Sequence, residues 1–172
     1  MMKLGKIFLT LGMVLAGSAR SEAGSIDILD LYNTGVDANH AALAAGVTDP
    51  NYTLLTNPSG VMAPIVYRNN AWVANVPASG TDLAAQWIAP KGSGVANGTY
   101  TYQTTFTVGA GALLSSVLIE GRFTADDKIT DVLLNGVSLG IGTTGDQIYN
   151  KWFDFTISGS SPFQLGGNTL AF

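Results

Sequence analysis

Hydrophobic and polar residues alternate along most of this chain with the period of two that a half-buried β-strand requires. The clearest segment runs from Thr99 to Val108, where Tyr100, Tyr102, Phe106 and Val108 share one face. Threonines and a glutamine occupy the positions between them and share the other face. Aromatic and β-branched residues in this arrangement predict a strand with one side in the core.

The same pattern recurs at regular spacing. Residues 152–158 place Phe153, Phe155 and Ile157 on the apolar side and leave Trp152 on the polar side. Asn135-Gly136 separates two apolar runs, and this dipeptide favours a tight hairpin because both residues accept positive φ. The remaining predicted strands cover residues 26–32, 52–56, 64–67, 72–76, 86–88, 117–124, 129–134, 137–139 and 168–172.

One short stretch breaks the pattern: residues 39–45 are rich in alanine and precede Gly46, which predicts a helix of at most two turns. Many short strands with turn signals and no long helix indicate an all-β fold, either a sandwich or a barrel.

The N-terminal stretch has the organisation of a secretory signal peptide. Lys3 and Lys6 precede an apolar run over residues 7–16, and small residues then lead to Ser21-Glu22-Ala23. We predict cleavage after Ala23, with Ala19 as an alternative site. Residues 24–172 would then form a single β-sandwich domain that is secreted and remains extracellular or at the cell surface, with no membrane span of its own.

The amino-acid composition limits the classes of function that this protein can have. Of the 172 residues, 47% are hydrophobic and only 12% are charged, which suits a chain that buries a core rather than a disordered one. The absence of cysteine excludes disulfides, thiolate metal sites and a cysteine nucleophile. A net charge of −4 argues against a nucleic-acid partner, because phosphates require clustered Lys and Arg.

Several motifs, in this order, resemble those of exported bacterial single-domain proteins of the PEP-CTERM type. They are Leu31-Tyr32-Asn33-Thr34-Gly35-Val36-Asp37, Asp49-Pro50-Asn51-Tyr52-Thr53-Leu54, Gln86-Trp87-Ile88-Ala89-Pro90, Gly98-Thr99-Tyr100-Thr101-Tyr102, and Asp126 leading to Leu133-Leu134-Asn135-Gly136-Val137-Ser138. The resemblance implies a jelly-roll β-sandwich of two antiparallel sheets, similar to galactose-binding domains, and a role in the cell-surface or exopolysaccharide matrix.

The resemblance also carries an expectation about the C-terminus. Proteins of this type continue with a further strand, a Pro-Glu-Pro motif, an apolar helix and a basic end, whereas this sequence stops at Phe172. We therefore expect the sorting tail to be absent and the domain to be truncated at its C-terminus. The strand over residues 168–172 would then leave a neighbouring edge unpaired, and self-association through this open sheet edge is expected.

Two catalytic motifs occur without the context they need. Gly136–Gly140 fits the G-x-S-x-G nucleophile elbow, but the only histidine, His40, lies far upstream. Residues 140–145 fit the G-x-G-x-x-G dinucleotide fingerprint, but an aromatic strand pattern follows instead of a helix. We predict that the protein is not an enzyme. A cryptic glycoside hydrolase stays as an alternative, although Glu120 is the single glutamate after the predicted cleavage site.

Aromatic residues are the best indication of a ligand. Sugar-binding sandwiches stack pyranose rings on Trp or Tyr and place polar groups beside them. Trp152 is the leading candidate, with Trp72 and Arg122 as further ligand-binding residues and a polysaccharide as the partner. Burial of the tryptophans in a core or in a subunit contact is the competing interpretation, and it goes with a purely structural matrix or surface-layer subunit that has no small ligand.

No cofactor is predicted, apart from a speculative structural calcium ion. Ca²⁺ needs only oxygen ligands, and Asp126 and Asp127 at a strand end, or loops that hold Asp37 and Asp49, are the candidates.

Overall fold

The computed structural model describes residues 6–12, 28–67, 72–73, 84–145, 148–159 and 162–172. These residues form β-strands joined by loops, with two 3₁₀ turns at Leu114–Ser116 and Ile148–Asn150. The strands are Lys6–Gly12 (β1), Ile28–Leu29 (β2), Thr53–Leu54 (β3), Ile65–Val66 (β4), Ile88–Ala89 (β5), Tyr102–Val108 (β6), Leu118–Asp126 (β7), Leu133–Leu134 (β8), Val137–Ser138 (β9), Phe153–Ser158 (β10) and Gly166–Ala171 (β11). The predicted all-β class is confirmed.

The strands form two sheets, and every strand pair is antiparallel. Sheet I has the order β10-β7-β1-β5-β4. Sheet II has the order β2-β6-β11-β8-β9, with β3 also paired to β6. The long strands β6, β7, β10 and β11 provide most of the pairing, and the two-residue strands extend the sheets on either side.

The main core lies between the two sheets and contains side chains from both. Phe106 and Leu170 of sheet II and Phe123 and Phe155 of sheet I belong to one buried cluster. Phe172, directly after β11, packs edge-on against Phe123 and Phe155, with ring centroids 6.3 Å and 6.0 Å apart. Burial of this apolar surface from both sheets stabilises the sandwich-like arrangement.

The alternation in the longest predicted strands is confirmed. In β6, Tyr102, Phe106 and Val108 are buried, and Thr104 joins them on the inner side. In β10, Phe155 and Ile157 are buried while the intervening side chains are exposed. The hairpin is also confirmed, because β8 pairs with β9 across Asn135 and Gly136, whose φ angles are +53° and +77°. Both positive values are those of a type I′ turn.

The predicted helix over residues 39–45 is wrong. A side-chain cap replaces helical hydrogen bonds there, since an Asp37 carboxylate oxygen accepts the N–H groups of Asn39 and Ala41. The N–H of Leu43 donates to the carbonyl of Gly35, and Val36 pairs with Ala42 as an isolated bridge. Local Asp-to-backbone bonds and long-range contacts thus outcompete a short helix that has little stability of its own.

The two ends of the chain take places in different sheets. Lys6–Gly12, which falls inside the predicted signal peptide, is the central strand of sheet I. Gly166–Ala171 lies inside sheet II, where it pairs with β6 along its whole length and with β8 at Leu170 and Ala171. The expected truncation and the self-association through an open sheet edge stay predictions.

Two further expectations concern the strand around Trp72 and the absence of a membrane span. The strand predicted over residues 72–76 falls largely outside the described residues, and residues 72–73 are not part of a strand. Within the described ranges, no helix has the length and apolar character that crossing a bilayer requires.

Candidate functional site

A second, smaller cluster of large aromatic side chains lies apart from the main core. Trp72, Ala85 and Trp87 are buried together, and Tyr67, Tyr149 and Trp152 pack against them. The rings of Trp72 and Trp87 are 4.5 Å apart between centroids, and those of Tyr67 and Trp72 are 5.5 Å apart. We call these five side chains, Tyr67, Trp72, Trp87, Tyr149 and Trp152, the aromatic cluster.

The strand pattern of sheet I places the aromatic cluster on the side away from the main core. Trp87 directly precedes Ile88, which belongs to the main core, and Trp152 precedes Phe153, which packs against that core. Successive residues of an extended chain point to opposite faces. The cluster therefore covers part of the outer face of sheet I, where Arg122 of β7 joins it.

Arg122 on β7 brings a charge to the edge of this cluster. Its guanidinium carbon lies 4.7 Å from the ring centroid of Trp152, a distance typical of a cation–π contact. Both side chains are partly exposed, and the register partner of Arg122 on β10 is the exposed Asp154. Trp152 and Arg122 thus present an indole and a guanidinium on one surface, with the carboxylate of Asp154 as a neighbour.

The structure brings together all three residues that the sequence suggested as ligand-binding. Trp152 is half-buried beside Arg122, as expected for a residue on the polar side of its strand. Trp72 is only 9% exposed, so it supports the cluster from beneath and offers little open ring face. Arg122 reaches the cluster because β7 and β10 are neighbours, with Phe153 opposite Phe123 in the register.

Hydrogen bonds to backbone carbonyl groups hold the buried part of the cluster in place. The indole N–H of Trp87 donates to the carbonyl of Val73 over 2.8 Å, and the N–H of Val73 donates to the carbonyl of Tyr149 over 2.9 Å. The N–H of Tyr67 donates to the carbonyl of Trp87 over 2.7 Å. Segments far apart in sequence therefore meet at this surface, which is why Tyr67 and Tyr149 were not identified from the sequence. Their aromatic side chains were the only feature of the sequence that could have indicated a place in the cluster.

The motif residues around Asp49 form a buried polar network with a structural role. Asp49 accepts the N–H of Gly35 over 2.7 Å and that of Asn51 over 2.8 Å. Thr34 donates its hydroxyl to the carbonyl of Gln86, and Gln86 donates its amide to the carbonyl of Leu43. These bonds tie the loop over residues 33–51 to the segment that leads into β5, so satisfying backbone groups explains this carboxylate without a metal.

Burial changes the acidity of Asp49. Desolvation raises the pKa of its carboxyl from 3.8 to about 6, and the backbone N–H bonds oppose this shift only in part. Burial likewise raises the pKa of the Tyr52 phenol well above its usual value, with the nearby Asp49 charge adding to the effect. The Tyr52 hydroxyl donates to the carbonyl of Tyr32.

The candidate calcium ligands Asp126 and Asp127 lie at the end of β7. Among the described residues there is no group of three or more His, Cys, Asp or Glu side chains placed to hold a metal ion. One oxygen of Asp127, Oδ1, is buried without a hydrogen-bond partner in the described part of the chain. The calcium hypothesis stays without support from a ligand cluster.

The residues that match catalytic motifs have ordinary structural positions. Ser138 is exposed in β9, and its hydroxyl oxygen accepts the N–H of Gly140 over 3.2 Å. His40 has a φ of +59°, and its ring packs at a tilt against that of Tyr32 with centroids 4.9 Å apart. A short 3₁₀ turn and β10, not an α-helix, follow the glycine-rich loop over residues 140–145.

No protein-family model, curated protein or solved structure matches this chain. The chemistry of the aromatic cluster and of Arg122 is therefore what indicates a function.

Proposed function

We propose that this chain is an exported, non-catalytic β-sandwich of the jelly-roll type, related to galactose-binding domains and to exported PEP-CTERM-type proteins, that binds carbohydrate at the cell surface or in an exopolysaccharide matrix. The observation that supports the proposal is the Trp152–Arg122 pair on the outer face of sheet I. Its chemistry suits a sugar, because an indole offers an apolar surface to pyranose C–H groups while charged groups bond the hydroxyls.

The surroundings of Trp152 also suit a binding surface. The buried Trp72 and Trp87 beneath it hold the indole through packing, so little conformational freedom would be lost on binding. Arg122 lies on one of the longest strands, and Asp154 is its partner across the ladder. Side chains on regular strands are held more precisely than side chains on loops.

The test starts with a glycan array probed with the full chain, followed by calorimetric titration of the best ligand. Trp152→Ala is expected to weaken binding about tenfold to a hundredfold, by analogy with the loss of about 1–3 kcal/mol when an aromatic stacking partner of a nucleobase is removed. Arg122→Ala is expected to weaken binding as well, since it removes hydrogen-bond donors from the same surface.

Lys151→Ala is the matched control for Arg122→Ala. The Lys151 ammonium lies 4.8 Å from the ring centroid of Phe153, so the control removes the same charge from a neighbouring cation–π pair. Binding is expected to stay within about twofold, as for surface changes away from a site. The proposal is wrong if the wild-type chain binds no glycan, or if Trp152→Ala and Lys151→Ala have equal effects.

A second candidate function is assembly without a small ligand, and exposed apolar side chains favour it. Met62 is 77% exposed and Leu55 is 59% exposed. The segments that carry them are neighbours, because the N–H of Leu54, the residue before Leu55, donates to the carbonyl of Met62. Exposed apolar side chains on neighbouring segments are typical of an interaction surface.

Analytical ultracentrifugation of the full chain separates the two candidates. Assembly through this patch predicts oligomers that the double variant Leu55→Ser, Met62→Ser reduces to monomers, whereas Leu113→Ser, at another exposed leucine, leaves them intact. A wild-type chain that stays monomeric at high concentration would contradict this second function.

A further inference from the structure

Among the described strands, Lys6–Gly12 alone connects the two halves of sheet I. β1 pairs with β7 over seven register positions, from Lys6 opposite Asp126 to Gly12 opposite Glu120. On its other side, β1 meets β5 where Ile7 lies opposite Ile88. Without β1, the order β10-β7-β1-β5-β4 would leave the pair β10-β7 and the pair β5-β4 separate.

The strand that β1 covers is a core strand of the molecule. β7 contributes Ile119, Phe123 and Ala125 to the buried cluster, and β10 occupies its other edge. Loss of β1 would turn β7 into an edge strand with unpaired N–H and C=O groups directly beside the core. An edge of this kind pairs readily with another extended chain.

Every second residue from Ile7 to Leu11 is a large aliphatic one, and Phe8 adds an apolar residue on the alternate positions. Ile7, Leu9 and Leu11 occupy the register positions opposite Ala125, Phe123 and Gly121. Lys6 stands opposite Asp126, so opposite charges share one register position at this end of the pair. The register decides which residues of β1 share a face with the core residues of β7, because a slip by one residue would exchange the two faces.

We propose that the space between β7 and β5 is a strand-acceptor site and that its occupant is the chain's own segment Lys6–Gly12. The segment predicted to direct export then has a second role as a strand of the folded sheet. The two roles exclude each other, because an extended segment held between β7 and β5 cannot be bound elsewhere. This consequence rests on the proposed export: if export removes residues 1–23, as the sequence predicts, sheet I becomes an open acceptor.

Disulfide trapping in the uncut full chain tests the register, and the chain has no cysteine that would interfere. The matched pairs are Gly12→Cys with Glu120→Cys, and Lys6→Cys with Asp126→Cys. The mismatched controls exchange partners, Gly12→Cys with Asp126→Cys and Lys6→Cys with Glu120→Cys. Six residues of strand separate the mismatched positions by about 20 Å, beyond the reach of a disulfide.

Cross-links within one molecule in both matched pairs, and in neither mismatched pair, are expected. Equal cross-linking of matched and mismatched pairs, or no cross-link in any, would overturn the proposal. Cross-links formed only between two molecules would also overturn it, because the occupant would then be the strand of a second copy.

A nicking experiment tests occupancy without altering the strands. A specific protease site is inserted after Ala23 in the full chain, and the folded protein is cut. The released fragment is expected to co-elute with residues 24–172 on size exclusion and to separate in urea. Once the fragment is separated, residues 24–172 are expected to self-associate through the open edge of β7. A synthetic peptide of residues 3–13 is expected to restore the monomer, whereas the same peptide with Leu9→Pro, which lacks one ladder N–H, fails to do so.

Immediate loss of the fragment, with an unchanged melting temperature for the remainder, would overturn the proposal. Glycan binding through Trp152 is a separate measurement, so failure of strand acceptance and failure of carbohydrate binding are distinguishable.

Discussion

At the scale of single residues, the loop over residues 33–51 shows how a few side chains replace regular structure. Asp49 accepts backbone N–H groups that no strand satisfies, and Asp37 does the same for Asn39 and Ala41. Buried backbone groups need partners, and leaving one unpaired costs about 1–3 kcal/mol. Substitutions in this loop are therefore expected to act on stability.

Titration of Asp49 is expected to make the protein less stable as the pH rises. Its folded-state pKa, about 6, lies above the ordinary value of 3.8, so its contribution to stability is fully present below pH 3.8 and is lost as the pH rises through 6. About two pKa units correspond to about 3 kcal/mol at most. Urea unfolding at pH 4, 5, 6 and 7 measures this change.

Asp49→Asn is the control for this pH dependence, because its amide stays neutral throughout. The free energy of unfolding of the wild type minus that of Asp49→Asn should decrease from pH 4 to pH 7. A difference that stays constant would show that folding leaves the pKa of Asp49 unshifted, and one that increases would show that folding lowers this pKa.

Gly35→Ala is expected to destabilise the fold by about 2–4 kcal/mol, from a left-handed backbone and overpacking together. Gly35 has a φ of +69°, and an added Cβ would lie 2.6 Å from the Cβ of Gln86. Gly46 is the matched control, since its φ is +85° but no atom lies within 4 Å of an added Cβ. Gly46→Ala should cost only about 1–2 kcal/mol in thermal or urea unfolding. Equal losses for the two variants would show that the close approach to Gln86 is unimportant.

At the scale of elements, the β8–β9 hairpin is held to β11 by a pair of asparagines. Asn135 donates its amide to Oδ1 of Asn168 and to the carbonyl of Pro162, and its own Oδ1 accepts the N–H of Thr169. Asn168 is buried and also accepts the N–H of Gln164. The turn residue thus sets the hairpin conformation and fastens it to the neighbouring strand.

Two variants of Asn135 separate these two effects. Asn135→Gly keeps the positive φ but removes the three side-chain bonds, and we expect a loss of about 1–3 kcal/mol in unfolding free energy. Asn135→Ala also forces an L-residue into the left-handed region, which adds about 1–2 kcal/mol. Equal stability of the two variants would show that the hairpin φ contributes little.

At the scale of the whole molecule, Phe172 connects the two sheets. It follows the last strand of sheet II and packs against Phe123 and Phe155 of sheet I. Phe172→Ala is expected to lower the free energy of unfolding by about 3–5 kcal/mol, the usual range for a buried phenylalanine. Leu113→Ala, at a residue that is 61% exposed, should change it by less than about 0.5 kcal/mol.

Urea unfolding followed by tryptophan fluorescence measures both variants. A loss no larger than that of Leu113→Ala would show that the contact between the sheets at Phe172 contributes little to stability.

The sequence by itself determined the secondary-structure class and the main faces. Alternation in β6 and β10 predicted their buried sides, and Asn135-Gly136 predicted the hairpin, because these signals depend on neighbours in the chain. Trp152 was expected on the polar side of its strand for the same reason. The helix over residues 39–45 failed because its backbone groups bond to Asp37 and to Gly35, and alanine content alone does not reveal those partners.

Only the tertiary structure decided which residues meet. Trp72, Trp87 and Trp152 come together across strands distant in sequence, and Arg122 joins them because β7 and β10 are neighbours. The same holds for Lys6–Gly12, whose apolar run suits a signal peptide and a strand equally well. Its place beside β7 depends on a gap between β7 and β5, and such long-range pairing leaves no trace in local periodicity.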